Sequence, residues 1–92
     1  MEPQRAELRL RLLPHAEEAL ATRGLSMTWV ERTIVTPDWT DVDPRYPDRC
    51  RSYKAIQECG DRILRVVHWR EAADIVVLTV YLDRNALKAR RP

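Results

Sequence analysis

Lys54, Arg65, Thr79 and Tyr81 are the residues of this 92-residue chain whose types and spacing could act on a phosphate ester. Lys54 and Arg65 can bind phosphate and offset the charge that builds on it in a transition state. Tyr81 can contact substrate or pass a proton, and Thr79 can add a hydrogen bond. His15 brings an imidazole, the side chain best suited to acid–base work near neutral pH. Arg23 offers a second phosphate-binding guanidinium, and Trp69 an aromatic face on which a base can stack. Paired carboxylates, a Ser or Cys nucleophile with its base, and a glycine-rich phosphate loop are absent; Gly24 and Gly60 are the two glycines.

Each candidate also has a plainer use. Lys, Arg and Thr are ordinary on a solvated sheet face, where Tyr81 could simply cover Ile63. His15 could bond a backbone carbonyl at a strand-to-helix corner. Arg23 could complement the C-terminal end of a helix. His68 reads as a structural or edge residue, and Trp29, Trp39 and Trp69 suit packing. Lys54 and Lys88 are the only lysines among 16 basic residues. That bias suits bidentate phosphate recognition, and a GC-rich genome produces the same bias.

The net charge of +2 is too small to mark a nucleic-acid binder by itself. Hydrophobic residues make up 45% and charged residues 33%, as expected of a single globular domain over 1–92. No apolar run suits a membrane span, and the N-terminus has no apolar signal core, so a cytoplasmic protein is expected. Cys50 and Cys59 do not make a disulfide framework. Zinc would need four ligands, and only His15 and His68 could join the cysteines, without tight-pair spacing. No metal and no cofactor is therefore expected.

These side chains must be held by elements the sequence punctuates clearly. Residues 1–6 read as loose, and 7–12 alternate charge with Leu8, Leu10 and Leu12, as in a strand with one buried face. Pro14 can open a helix that runs to about Arg23, with Gly24 as its C-terminal cap. Ser26 caps a second helix, stopped by Pro37. A short edge strand over 39–42 leads into an exposed, proline-bearing loop. Strands then follow at about 49–57, 62–70 and 75–82. The basic tail over 84–92 reads as a short helix or as disordered, beyond a core of about 7–83. The fold class is α+β, in the order β-α-α-β-β-β-β, with two helices packed on one face of an antiparallel sheet.

If Cys59-Gly60 and Glu71-Ala72-Ala73 are the hairpin turns, Arg65 faces both Lys54 and Thr79, and Ile63 faces both Ile56 and Tyr81. One sheet face then carries Lys54, Arg65, Thr79 and Tyr81, with Trp69 on the same side. The other carries Tyr53, Ala55, Leu64, Val66, Val76, Leu78 and Val80, with His68 beside Val76 and Arg51. The helices should cover that apolar face.

The succession His15-Ala16, Arg23-Gly24-Leu25-Ser26, Val30, Pro37, Leu64-Arg65-Val66-Val67 and Thr79-Val80-Tyr81 resembles a bacterial family of small domains of unknown function. That family is similar to the RelE, ParE and BrnT toxins of toxin–antitoxin modules. One departure is Ala19, where the family often carries Arg or Lys. The resemblance implies a RelE/BrnT-like fold and a metal-independent endoribonuclease that holds RNA on the concave sheet face. Its partners would be RNA, including ribosome-bound mRNA, and a small antitoxin. Lys54 and Arg65 would serve phosphate and transition-state charge, Tyr81 substrate contact or proton transfer, and His15 and Arg23 as further candidates. The alternative is a non-catalytic module of the same fold that binds RNA or protein, including one from a phage or mobile element.

Overall fold

The computed structural model describes residues 9–86; Leu8 and the tail from residue 87 lie outside them. The elements are β1 (Leu10–Leu12), α1 (Pro14–Arg23), α2 (Met27–Val35), β2 (Trp39–Val42), β3 (Cys50–Ile56), β4 (Arg62–Glu71) and β5 (Asp74–Leu82), with a 3-10 turn at Gln57–Cys59. This is the expected α+β order. The strands form one sheet in the spatial order β1-β5-β4-β3-β2.

Local chemistry sets the helix ends. Pro14 opens α1, where a missing N–H costs nothing, and Leu13 O accepts from Ala16 N and Glu17 N at 2.9 and 3.0 Å. Gly24 closes α1 at φ 65° and donates to Leu20 O. A side chain at this backbone angle would cost roughly 1–2 kcal/mol. Ser26 Oγ accepts from Thr28 N at 3.1 Å and caps α2, an interaction that contributes about 1 kcal/mol.

Both helices lie on one face of the sheet. Ala16 and Leu25 from the α1 side and Val30 of α2 pack with Ile56, Leu64, Val66, Val77 and Val80, joined by Leu10, Leu12 and Leu20. Burying each aliphatic side chain stabilises the fold by roughly 1.5–3 kcal/mol. Ser52 is the buried polar residue of β3 on this side, and its Oγ lies 2.8 Å from His68 Nε2.

The sheet is mixed rather than antiparallel throughout. β2–β3, β3–β4 and β4–β5 pair antiparallel, whereas β1 runs parallel to β5, with Leu10, Arg11 and Leu12 opposite Ile75, Val76 and Val77. Two helices separate β1 from the next strand, so no hairpin forces an antiparallel pairing.

The register differs from expectation at both hairpins. Ile56 pairs with Arg62, so the first loop spans Gln57–Asp61 rather than a Cys59-Gly60 turn. Gly60 and Asp61 turn it at φ 67° and 65°. This odd-length loop sets Tyr53, not Lys54, opposite Arg65. A one-residue slip turns every side chain of a strand to the other face. Tyr53 and Ala55 therefore lie on the open face, and Lys54 on the helix face. Tyr53, Ile63 and Ala86 form a second small core there, with Trp39 and Ala55 packed against it.

The second turn is Ala72-Ala73, between the paired Glu71 and Asp74, and the β4–β5 register shifts between Val67 and His68. Leu78 is the extra residue at that irregularity, a β-bulge. Past it Arg65 pairs with Tyr81 and Val67 with Thr79. Ile63 thus does not face Ile56 or Tyr81; its β3 partner is Ala55. Val76 pairs with Trp69 and shares the open face, while His68 lies on the helix side between Cys50 and Val77.

Candidate functional site

β1 pairs with β5 only at Ile75–Val77, after which the chain turns through Leu13 into α1. The rest of β5 runs on beside the helix, and a cleft of about 410 Å³ opens between them. His15, Glu18, Ala19 and Arg23 line it from α1, with Thr79 and Tyr81 from β5. The α1 residues follow the helical spacing i, i+3, i+4, i+8, which puts them on one stripe. Four of the residues singled out from the sequence, His15, Arg23, Thr79 and Tyr81, thus share one concavity.

Tyr81 joins this cleft to the open sheet face. Across four strands, Trp39 pairs with Tyr53, Tyr53 with Arg65, and Arg65 with Tyr81. Trp39 stacks on Tyr53 with ring centres 4.6 Å apart. The Arg65 guanidinium carbon lies 5.8 Å from the Tyr53 ring centre and 5.1 Å from that of Tyr81. Burial pushes both phenols above the usual tyrosine range, opposed in part by the Arg65 charge. Both are therefore neutral hydrogen-bond donors at neutral pH.

Arg65 is not available to a ligand in the way its type suggests. Its Nη1 lies 3.0 Å from Asp83 Oδ2, with the side chains 21% and 12% exposed, and its buried Nε has no hydrogen-bond partner. Further arginines on the open face are similarly engaged. Arg51 pairs bidentately with Asp41 at 2.6 and 2.9 Å, Arg11 with Glu71, and Arg9 with Asp74. Carboxylates thus neutralise Arg9, Arg11, Arg51 and Arg65 on this face.

Lys54 is removed from the patch altogether. On the helix face its Nζ donates to Thr36 O at 2.7 Å and sits 3.6 Å from Asp38 Oδ1. Thr36 is the C-cap of α2, so Lys54 ties the end of that helix to β3. Trp69 stays on the open face, four residues along β4 from Arg65. Its Nε1 donates to Glu71 Oε2 at 3.3 Å, and the Arg49 guanidinium lies 5.7 Å from its ring centre.

Thr22 and Val80 also line the cleft; Thr22 was not singled out from the sequence, although its spacing from His15 and Arg23 on one helix already put it on that stripe. Among the described residues, no three His, Cys, Asp or Glu side chains come together as a metal site. Cys50 and Cys59 are separate, half-buried thiols. No helix among the described residues is long and apolar enough to cross a membrane.

No curated protein and no solved structure matches the chain. A family match does cover residues 12–82, which take in both helices, strands β2 to β5 and every cleft residue: the chain belongs to the family of the domain of unknown function DUF4258.

Proposed function

We propose that the α1–β5 cleft holds single-stranded RNA and that the protein is a metal-independent endoribonuclease, the toxin of a type II toxin–antitoxin pair resembling RelE and BrnT. The observation that carries this reading is the meeting of an imidazole, a guanidinium and a neutral phenol in one cleft: His15, Arg23 and Tyr81. Cleavage of RNA by its own 2′-hydroxyl needs a base, a charge stabiliser and an acid. His15 takes the 2′-hydroxyl proton as that oxygen attacks phosphorus. Arg23 offsets the negative charge gathering on the phosphoryl oxygens. The bond from phosphorus to the 5′-oxygen breaks, and Tyr81 gives the leaving oxygen its proton. The products are a 2′,3′-cyclic phosphate and a 5′-hydroxyl. Thr79 donates a hydrogen bond to the same strand, and a cytoplasmic antitoxin would silence the activity.

A second reading has an observation of its own. His15 has no hydrogen-bonded carboxylate to orient it among the described residues, and Ala19 lines the cleft where the resemblance implies a basic side chain. A cleft that binds RNA without cutting it accommodates both features.

Induced expression in bacteria separates the two, with wild type compared with the His15→Ala/Tyr81→Phe double variant at matched soluble levels. The toxin reading expects growth arrest with new 5′-hydroxyl RNA ends, both lost in the folded variant. Wild-type protein that accumulates folded without slowing growth or creating such ends overturns it in favour of binding alone.

A further inference from the structure

A second concavity, of about 350 Å³, lies where the α1–α2 turn meets the start of β4 and the end of β5. Arg23, Arg62 and Arg84 line it, with Leu25 and Leu82 as its apolar residues. No carboxylate of the described residues lines it. Five arginines elsewhere in the molecule, Arg9, Arg11, Arg32, Arg51 and Arg65, are held by carboxylates. Arg23, Arg62 and Arg84 have no such partner among the described residues, although they converge on one space. Like charges gathered without a counter-ion repel one another, and an anion bound among them relieves that repulsion. Planar guanidinium forks match the oxygens of a phosphate group in particular.

We infer that Arg23, Arg62 and Arg84 form a phosphate-binding subsite that receives the backbone of a single-stranded RNA leaving the α1–β5 cleft. The inference rests on the RNA reading above, and Arg23 is the physical link, since it lines both concavities. A strand entering beside His15 and Tyr81 would pass Arg23 and set its next phosphodiester between Arg62 and Arg84. Leu25 and Leu82 give the sugar an apolar contact. The subsite would anchor the strand without taking part in bond cleavage.

The test measures how affinity for a fluorescent oligouridylate depends on salt, for wild type and for Arg62→Gln/Arg84→Gln. Arg23 is left in place because it also lines the cleft. Each phosphate contact to a single strand contributes about −0.7 to the slope of log K against log salt, so the double variant, which loses the one phosphate held between Arg62 and Arg84, should shallow it by about 0.7. Arg62→Lys/Arg84→Lys keeps both charges and should restore most of the slope, and Arg45→Gln, in the exposed loop after β2, should leave it unchanged. In parallel, inorganic phosphate is titrated while the Nε–H signals of the three arginines are followed by NMR. Movement of those signals together with the shallower slope supports the subsite.

RNA binding with an unchanged slope in the double variant overturns the subsite and leaves the cleft reading intact. Phosphate binding without RNA binding overturns both the cleft reading and the RNA assignment, and identifies free phosphate as the ligand. Neither ligand binding overturns both proposals. All three arginines are exposed, so these substitutions remove no core contact. Unchanged melting curves check that the variants fold.

Discussion

Arg65 and Tyr81 are cross-strand partners, and the guanidinium carbon of one lies 5.1 Å from the ring centre of the other. The same guanidinium faces Tyr53 on the opposite side and is neutralised by Asp83 just beyond β5. Arg65 therefore works as a rivet between three strands, and it holds the phenol of Tyr81 where the sheet meets the cleft.

Asp83→Asn should test that role. It leaves a largely buried guanidinium without its counter-charge, which costs about 1–3 kcal/mol after allowance for the partial exposure of the pair. Chemical denaturation should show a lower midpoint, and near-ultraviolet circular dichroism should show a changed tyrosine environment. Unchanged stability would mean that the pair contributes nothing net.

Lys54 leads to the opposite expectation from the one its charge invites. Because it bonds the α2 C-cap on the helix side, Lys54→Met should lower stability by about 1–2 kcal/mol through the lost charge-assisted hydrogen bond. RNA affinity at matched folded concentration should be unaltered. Loss of affinity without loss of stability would return Lys54 to the binding surface.

How much of this was legible in the sequence depended on what each signal measures. Pro14, Gly24, Ser26 and Pro37 act on the backbone locally, and the helix ends follow from them. Strand pairing depends on loop length, and there the pattern misled. Five residues, Gln57–Asp61, separate the paired Ile56 and Arg62, so β3 turns over. Alternation could not reveal this, because Tyr53 and Ala55 find apolar cover on the open face from Trp39, Ile63 and Ala86. Tyr81 and Thr79 kept the face of Arg65 only because the shorter Ala72-Ala73 turn and the Leu78 bulge offset each other in parity. His15 and Arg23 were visible by type. Their meeting with β5 was not, since it depends on β1 pairing no further than Val77.

His68 should make stability depend on pH. Burial is the main cause of its lowered pKa, with the nearby Arg70 charge adding to it. The folded state therefore resists protonation more than the unfolded chain, whose histidine titrates near 6.5. Stability from the neutral imidazole is fully present above that value and is lost as pH falls from there toward the lower folded pKa. The melting temperature should begin to drop as pH falls through about 6.5, ahead of the carboxylates such as Glu58 and Asp43, whose lowered pKa values put their loss at more acidic pH. His68→Gln, which can still hydrogen-bond Ser52, should flatten that first drop. An equal drop in the variant would assign it to another group.

The most direct test of the central claim is to titrate a short single-stranded RNA into isotope-labelled protein and follow every backbone amide by NMR. Binding in the cleft should move the amides of residues 15–23 and 79–81 together, and these shifts should disappear in Arg23→Gln/Tyr81→Phe while the remaining spectrum stays folded. Shifts confined to the Arg51, Tyr53 and Trp39 region of the open face, or no shifts at all, would contradict the assignment of the α1–β5 cleft as the RNA site.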